Sequence, residues 1–455
     1  MLRRHALLAA GCAVNVVCGL AASAVFPTMP LRAQQLGISS WHAGSILGCY
    51  SLAYLLACPL VGSCVAQLGC KALTVLGLVS CALSTALLGW VECVPLLYAC
   101  RSVQGIGTAA AEVAVMALVA SRCPKEELGR LTGYLELSQG LGWVLGPPAA
   151  GALHELFGFE WTFGLIGVLV KAISVLTGWL LHQVPSVGRG HESAEATSAG
   201  PGAGPSGTNA PVPVVTLMRP RLMLLVVGVV TFAASMGALY ANLAVHCAAS
   251  PAQAGLLVLL VALAYIGAAP CTGHLIDANL CSGRTVLIGG LLLGSASYAL
   301  LSCSMLGMGG AAPPHADEAA WSSGVGGSAR LAGVAVACVA LGLAESLVLV
   351  PAFPELLSLM PPSLDDEVAS GIVSALFNAA WSGGEAAGPV LSVWPVQRWG
   401  FPRAMLACAL LNVATACAVT GATMRDARHP PDWRTGDDQR SESEAMYVKR
   451  DDPHR

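Results

Sequence analysis

Twelve apolar runs dominate the chain, each about the length a helix needs to cross a hydrocarbon layer. They cover 6–28, 43–66, 71–91, 95–120, 130–153, 161–182, 221–246, 253–275, 284–305, 330–351, 369–393 and 402–423. A run of this kind must satisfy its own backbone N–H and C=O groups in lipid, so an all-α membrane protein follows. Composition agrees. Of 455 residues, 55% are hydrophobic and only 11% charged, against about 25% charged in an ordinary soluble chain. The net charge of −3 comes without any dense basic cluster, which sets nucleic acid aside as a partner. Seventeen cysteines stand mostly singly in apolar runs with no C-x-x-C pair, and read as small buried hydrophobes rather than a disulfide or metal framework. The first apolar stretch, about 20 residues from Ala6, is longer than a signal-peptide core and reads as the first span.

The twelve runs divide evenly. Residues 184–220 are rich in Gly, Ser, Ala and Pro, the composition of a flexible cytoplasmic linker. The expected organisation is a six-helix bundle over 1–183, the linker, a second six-helix bundle over 221–424, and a charged, disordered cytoplasmic tail over 425–455. A softer loop at about 306–328 separates the ninth and tenth runs. Arg3, Arg4, Lys71, Arg122, Lys125, Arg130, Arg189, Arg219, Arg221 and Arg284 fall on the side of the termini, and only Arg32, Arg330, Arg398 and Arg403 on the other. Both termini and the linker are therefore expected in the cytoplasm. The halves also echo one another. Gly142-Trp-Val-Leu-Gly146-Pro147 in the fifth run is matched by Gly384-Glu-Ala-Ala-Gly388-Pro389 in the eleventh, and the second and eighth runs both end on glycine-led turns, Gly62 to Lys71 and Gly273 to Asp277. Repeated features at matching positions suggest two pseudo-symmetric bundles with a transport site between them near the midplane.

A charge inside a span costs at least about 2.5–3.5 kcal/mol on insertion scales and marks function by default. The fourth run carries Arg101, Gln104, Thr108 and Glu112. At 3.6 residues per turn these return to one face, with the two charges about 16 Å apart along the axis, too far to pair directly. Glu136 and Gln139 follow in the fifth run, Lys171 in the sixth and Glu345 in the tenth. The eleventh repeats a polar stripe with Ser374, Asn378, Trp381 and Glu385. Bland readings stand beside the functional ones. Lys171 either pairs with Glu136 or serves coupling, and Glu112, placed toward a helix end, either functions or snorkels to the cytoplasmic face. A carboxyl group taken out of water favours its neutral form, so such groups can take up a proton on one side and release it on the other, or exchange it for a cation. His154, His182, His246 and His274 sit near run ends without ligand spacing, so no metal is expected.

The stretch GLGWVLGPPAAG, Gly140 to Gly151, concentrates helix breakers inside an uncharged run. In lipid that pattern permits close backbone approach and a bend. Gly142, Gly146 and Ala150 form a smooth stripe expected to face the eighth helix.

Two motifs resemble those of the major facilitator superfamily. Arg101-Ser-Val-Gln104-Gly105-Ile-Gly107-Thr-Ala109 matches its helix-four motif, R-x-x-Q-G-x-G-x-A, and the resemblance gives that arginine a part in proton coupling. Gly142, Gly146, Pro147 and Gly151 match its antiporter motif, G-x-x-x-G-P-x-x-x-G. The stretches LELSQGLGWVLGPPAAGALHELFGFEWTF (135–163), VPAFPELL (350–357) and GIVSALFNAAWSGGEAAGP (371–389) are similar to the vesicular amine transporters, particularly the vesicular polyamine branch. That likeness covers about residues 6–424 and implies proton/organic-cation antiport across an acidic organelle membrane. Two positions depart from it. Ala66 stands where the loop after the second helix normally has an acid, although Gly62, Gly69 and Lys71 remain and the second copy keeps Asp277. Tyr240 stands where the branch carries an acid near the end of the seventh helix.

The expected protein is a secondary transporter of the major facilitator fold working by alternating access, with protons, a small organic cation and membrane lipid as partners, monomeric and vesicular. Arg101, Glu112, Glu136 and Glu385 are the candidates for proton coupling. Gln104, Glu345, Asn378 and Trp381 are the candidates for substrate contact, Trp381 by cation–π attraction. Gly62, Gly69, Lys71, Gly273 and Asp277 form the gating loops. A uniporter or organic-anion transporter using Arg101 and Lys171, and a non-transporting scaffold derived from a transporter, are the alternatives. Without a nucleotide loop, catalytic triad or metal spacing, neither an enzyme nor a cofactor is expected.

Overall fold

The computed structural model describes residues 2–38, 40–183, 220–247, 251–278, 280–306, 325–361 and 364–428. Most of the expected linker, the tail beyond 428 and the loop before the tenth run lie outside the described residues. The helices are α1 (Leu2–Ser23, followed by the short helix Val25–Gln35), α2 (Ser40–Leu68), α3 (Cys70–Trp90) and α4 (Val94–Arg122). The segment Leu128–His182, broken at Gly158, then supplies both α5 (128–157) and α6 (159–182). The second series is α7 (Pro220–Cys247), α8 (Pro251–Asp277), α9 (Gly283–Leu306), α10 (Val325–Ser358), α11 (Asp366–Trp399) and α12 (Phe401–Arg428). Ten helices among the described residues are long and apolar enough to cross a membrane. One of them, Leu128–His182, is 55 residues long, enough for two crossings. The twelfth is α11, which is long enough but holds Asp366, Glu367, Asn378 and Glu385 and so falls short on hydropathy.

Local chemistry sets the breaks. Gly158 adopts φ +78° between α5 and α6, a conformation L side chains rarely take, and reverses the chain direction. Gly69 does the same between α2 and α3. Asp365 caps α11 by accepting from the Glu367 and Val368 N–H groups, which would otherwise lack partners. Leu52, Leu56 and Leu60 on α2 and Leu76, Leu83 and Leu87 on α3 are exposed at helical spacing. These stripes, unlike a soluble helix, turn apolar surface outward, as lipid contact requires.

The glycine stripe of α5 faces a helix other than the one expected. Gly142 packs on the backbone at Val16 and Leu20, and a Cβ on Gly146 would lie 2.7 Å from the Leu20 carbonyl. Its partner is α1, not α8. In the matching place, Gly384 and Gly388 pack α11 on the α7 backbone at Val230 and Ala238. The surface of α5 that does meet α8 carries Gly129, Gly133 and Gly140, which approach Gly273, Ala269 and Ile266. The reason is angular: Gly133 and Gly140 lie about seven residues, or two turns, apart, and Gly142 is rotated well off their line. Likewise α2 meets α11, with Gly62 against Gly371 and Ala375. Contacts between the first six helices and the last six thus include α2–α11 and α5–α8, and α4 also meets α11, where Arg122 pairs with Glu367.

Candidate functional site

The stripe on α4 is buried as its spacing predicts: Arg101, Gln104, Thr108 and Glu112 are each 4% exposed or less. Arg101 donates to the Gln104 side-chain oxygen, and its guanidinium lies over the Tyr50 ring, 4.6 Å from the centroid. Gln104 in turn donates to Thr85 at 2.8 Å and to the Ala21 carbonyl at 3.2 Å. Arg101 is therefore tied to α1, α2 and α3 through polar and ring contacts. No carboxylate lies within ion-pair distance of it among the described residues.

Glu112 does not snorkel. It sits ten residues before Arg122 at the end of α4, buried, and its Oε2 lies 2.8 Å from the Tyr54 hydroxyl. That hydroxyl also lies 2.8 Å from Asn378 Oδ1 on α11, while Asn378 Nδ2 donates to the Ser374 carbonyl one turn back. On the other contact between halves, the Tyr265 hydroxyl of α8 donates to Glu136 of α5. Lys171, by contrast, lies exposed on α6, so the suggested Lys171–Glu136 pair gives way to a Tyr265–Glu136 hydrogen bond.

Around this second contact the carboxylates gather. Glu345 is 8% exposed and lies within electrostatic range of Glu136 and Glu385, and Tyr240 within range of Glu345 and Glu385. The acid missing at position 240 is thus matched by two acids close by, on α10 and α11. Trp381 is partly buried against the central apolar cluster, one turn from Asn378 and Glu385. Three acids from α5, α10 and α11, two tyrosines and a tryptophan one turn away suit an organic cation with an apolar body, held by charge and by ring faces. Thr272 and Ser346 join α8 to α10 beneath them at 2.7 Å.

At one end of the bundle the halves are closed by backbone capping. Asp277 accepts from the Gly129 and Arg130 N–H groups at 2.9 and 2.8 Å, capping α5 from α8. In the matching place the acid is absent at position 66, and Glu367 on α11 accepts from the Cys70 N–H at 3.1 Å and pairs with Arg122 at 3.4 Å. Gly69 forms the turn between α2 and α3, Gly62 lies in the last turns of α2 and Lys71 in the first turn of α3.

The match to the Major Facilitator Superfamily covers residues 11–248, more than half of the chain. The chain belongs to the major facilitator superfamily. Over 408 residues it is 27% identical to MFS-type transporter SLC18B1 of Mus musculus, covering 87% of this chain and 81% of that protein. The Homo sapiens protein of the same name is 26% identical over 409 residues, covering 87% and 81%. Multidrug resistance protein 1 of Bacillus subtilis is 27% identical over 156 residues, 33% of this chain and 40% of that one. This superfamily member is a multi-pass membrane transporter for a small-molecule substrate, not an enzyme, and the twelve-helix all-α architecture is the major facilitator fold.

Within that fold, Tyr54, Tyr265, Glu367 and Arg122 carry contacts that the reading of single runs did not pick out. A signal was there for the tyrosines. Tyr54 lies eight residues before Gly62, and Tyr265 eight residues before Gly273. The repeat register therefore marks them as equivalent. Glu367 had no such signal, because it replaces the missing acid from a different helix.

Proposed function

We propose that the protein is a proton-coupled antiporter of small organic cations, working by alternating access between units 1–183 and 221–424. The observation that carries this reading is the group of carboxylates where the halves meet. Glu112, Glu136, Glu345 and Glu385 approach one another or tyrosines, and none is ion-paired to a lysine or arginine among the described residues. Acids so placed need a proton or a cation as counter-charge when the pathway is dry. Exchange of one for the other is antiport. Glu136 and Glu385 are the exchange sites in this reading. Glu345, Asn378 and Trp381 contact substrate, and Arg101 with Gln104 braces α4. The name of the Bacillus relative and the likeness to vesicular amine transporters support an amine or drug-like cation. The same likeness supports an acidic organelle membrane, a cytoplasmic linker and termini, and a monomer. An anion-binding alternative loses ground because Lys171 lies on the outer surface.

The test is uptake of labelled amines into proteoliposomes under an imposed pH gradient, repeated with Glu136→Gln and Glu385→Gln. Gradient-driven uptake is expected in the parent and lost in both variants. Uptake indifferent to the gradient would rule out proton antiport, and transport of organic anions alone would favour the anion reading.

A further inference from the structure

The Tyr54 hydroxyl sits between two oxygens, Glu112 Oε2 and Asn378 Oδ1, each at 2.8 Å. It owns one proton and can donate to only one of them. The amide of Asn378 is not free to turn its nitrogen toward Tyr54, because Nδ2 is engaged with the Ser374 carbonyl at 2.9 Å and a flip would oppose two acceptors there. Both short contacts become hydrogen bonds in one arrangement only. A protonated Glu112 donates to Tyr54, and Tyr54 donates onward to Asn378. If Glu112 is ionised, the tyrosine proton turns to the carboxylate and Asn378 Oδ1 faces a lone pair.

We propose that Tyr54 is a proton-dependent latch between the two halves, joining α2 to α11 when Glu112 carries a proton and releasing them when it does not. The latch lies one to two turns from the close approach of Gly62 to Gly371 and Ala375, so releasing it loosens the contact that closes this end of the pathway. The groups facing Glu112 are Cys18 of α1, Tyr50, Tyr54 and Cys58 of α2, Cys81 of α3 and Glu136 of α5, with the Gln139 amide beside it. None of these is a cation that would hold Glu112 ionised. Arg101, on the same helix, is turned to Tyr50 and Gln104.

The second half holds a related arrangement, in which, among the described residues, Tyr265 is hydrogen-bonded across the interface alone. Asn378 lies six residues before Gly384, and Glu136 six before Gly142, so the repeat equates them. Glu345 follows Ala344 ten residues before Glu355, as Glu112 follows Ala111 ten residues before Arg122. Tyr265 therefore bonds across the interface to an acid, Glu136, where Tyr54 meets an amide. An ionised Glu136 is the better acceptor for Tyr265, so the α5–α8 link is strengthened by losing a proton. The α2–α11 link is strengthened by gaining one. The asymmetry gives the two contacts opposite responses to the same proton gradient.

The proposal rests on the antiport reading only for its use in the cell. It is therefore tested without substrate, by hydrogen exchange of the full chain in nanodiscs at mildly acidic and mildly alkaline pH, corrected for intrinsic exchange. In the parent, peptides covering 62–71 and 366–375 are expected to lose protection by about fivefold at the alkaline pH, the effect of one net hydrogen bond. Tyr54→Phe removes only the hydroxyl and is expected to show the looser level at both pH values. Glu112→Gln, whose amide always has a proton to donate, is expected to keep the protected level at both. Asn378→Ala serves if Tyr54→Phe does not fold, with the same expectation. Protection in the parent that is unchanged by pH, or a pH response that survives in Tyr54→Phe, overturns the latch. A failed gradient assay with a pH-responsive latch would count against antiport alone.

Discussion

Parting α5 from α8 must break the cap that Asp277 places on α5, and the geometry of that cap sets its strength. Asp277 accepts from the N–H groups of Gly129 and Arg130 at 2.9 and 2.8 Å, two of the donors a helix start leaves unpaired. Loss of an N-cap side chain costs about 0.5–2 kcal/mol, and a hydrogen bond to a charged group contributes about 1.5–3 kcal/mol. The site is only partly buried, so about 2 kcal/mol is a fair net figure for both bonds. Asp277→Ala should then raise the open population about thirtyfold. Asp277→Asn keeps an acceptor oxygen without the charge, and about 1 kcal/mol, or fivefold, is expected. Hydrogen exchange of a peptide covering 128–135 reads this directly, since it contains the two amides that lose their acceptor. Neighbouring α1 peptides packed on Gly142 and Gly146 should change little, because that contact lies within the first six helices. If Asp277→Ala exchanges at the parent rate, the cap does not hold the halves together and the reasoning fails.

The revised place of the glycine stripe gives a contrast within one motif. Gly146→Leu must push α5 off α1 at Leu20 and Ser23, and a lower thermal midpoint with loss of transport is expected, overpacking costing about 1–3 kcal/mol or more. Gly151→Ala, with nothing within 4 Å of a Cβ, should leave both unchanged, and a large effect there would contradict the packing. Arg101→Lys keeps the charge but loses the planar stack on Tyr50 at 4.6 Å. A loss of about 1–2 kcal/mol in thermal stability is expected, and a lysine that fully replaces arginine would argue against the stacking role.

Two kinds of information in the chain proved readable at different depths. The apolar runs were legible because lipid imposes a length and an internal hydrogen-bonding rule on every span. The α4 stripe was legible because 3.6 residues per turn puts Arg101, Gln104, Thr108 and Glu112 on one buried face. Which helix a face meets was not legible. The stripe Gly142–Gly146–Ala150 announces a close neighbour but carries nothing that tells α1 from α8, since any small-residue surface accepts any backbone. Charge pairing failed for a similar reason. Lys171 and Glu136 looked like partners along the sequence, yet one points outward from α6 and the other meets Tyr265 of α8.

By itself, then, the sequence determined the spans and the buried polar stripe of α4, because these depend on local periodicity and on the cost of charge in lipid, but not that Lys171 would lie on the outer surface. Only the tertiary structure decided who meets whom: Tyr54 between Glu112 and Asn378, Tyr265 against Glu136, and Glu367 supplying the acid that is absent from position 66. Each of these contacts joins residues more than fifty positions apart. Their geometry comes from how whole helices are rotated and tilted against one another, and no local pattern encodes that.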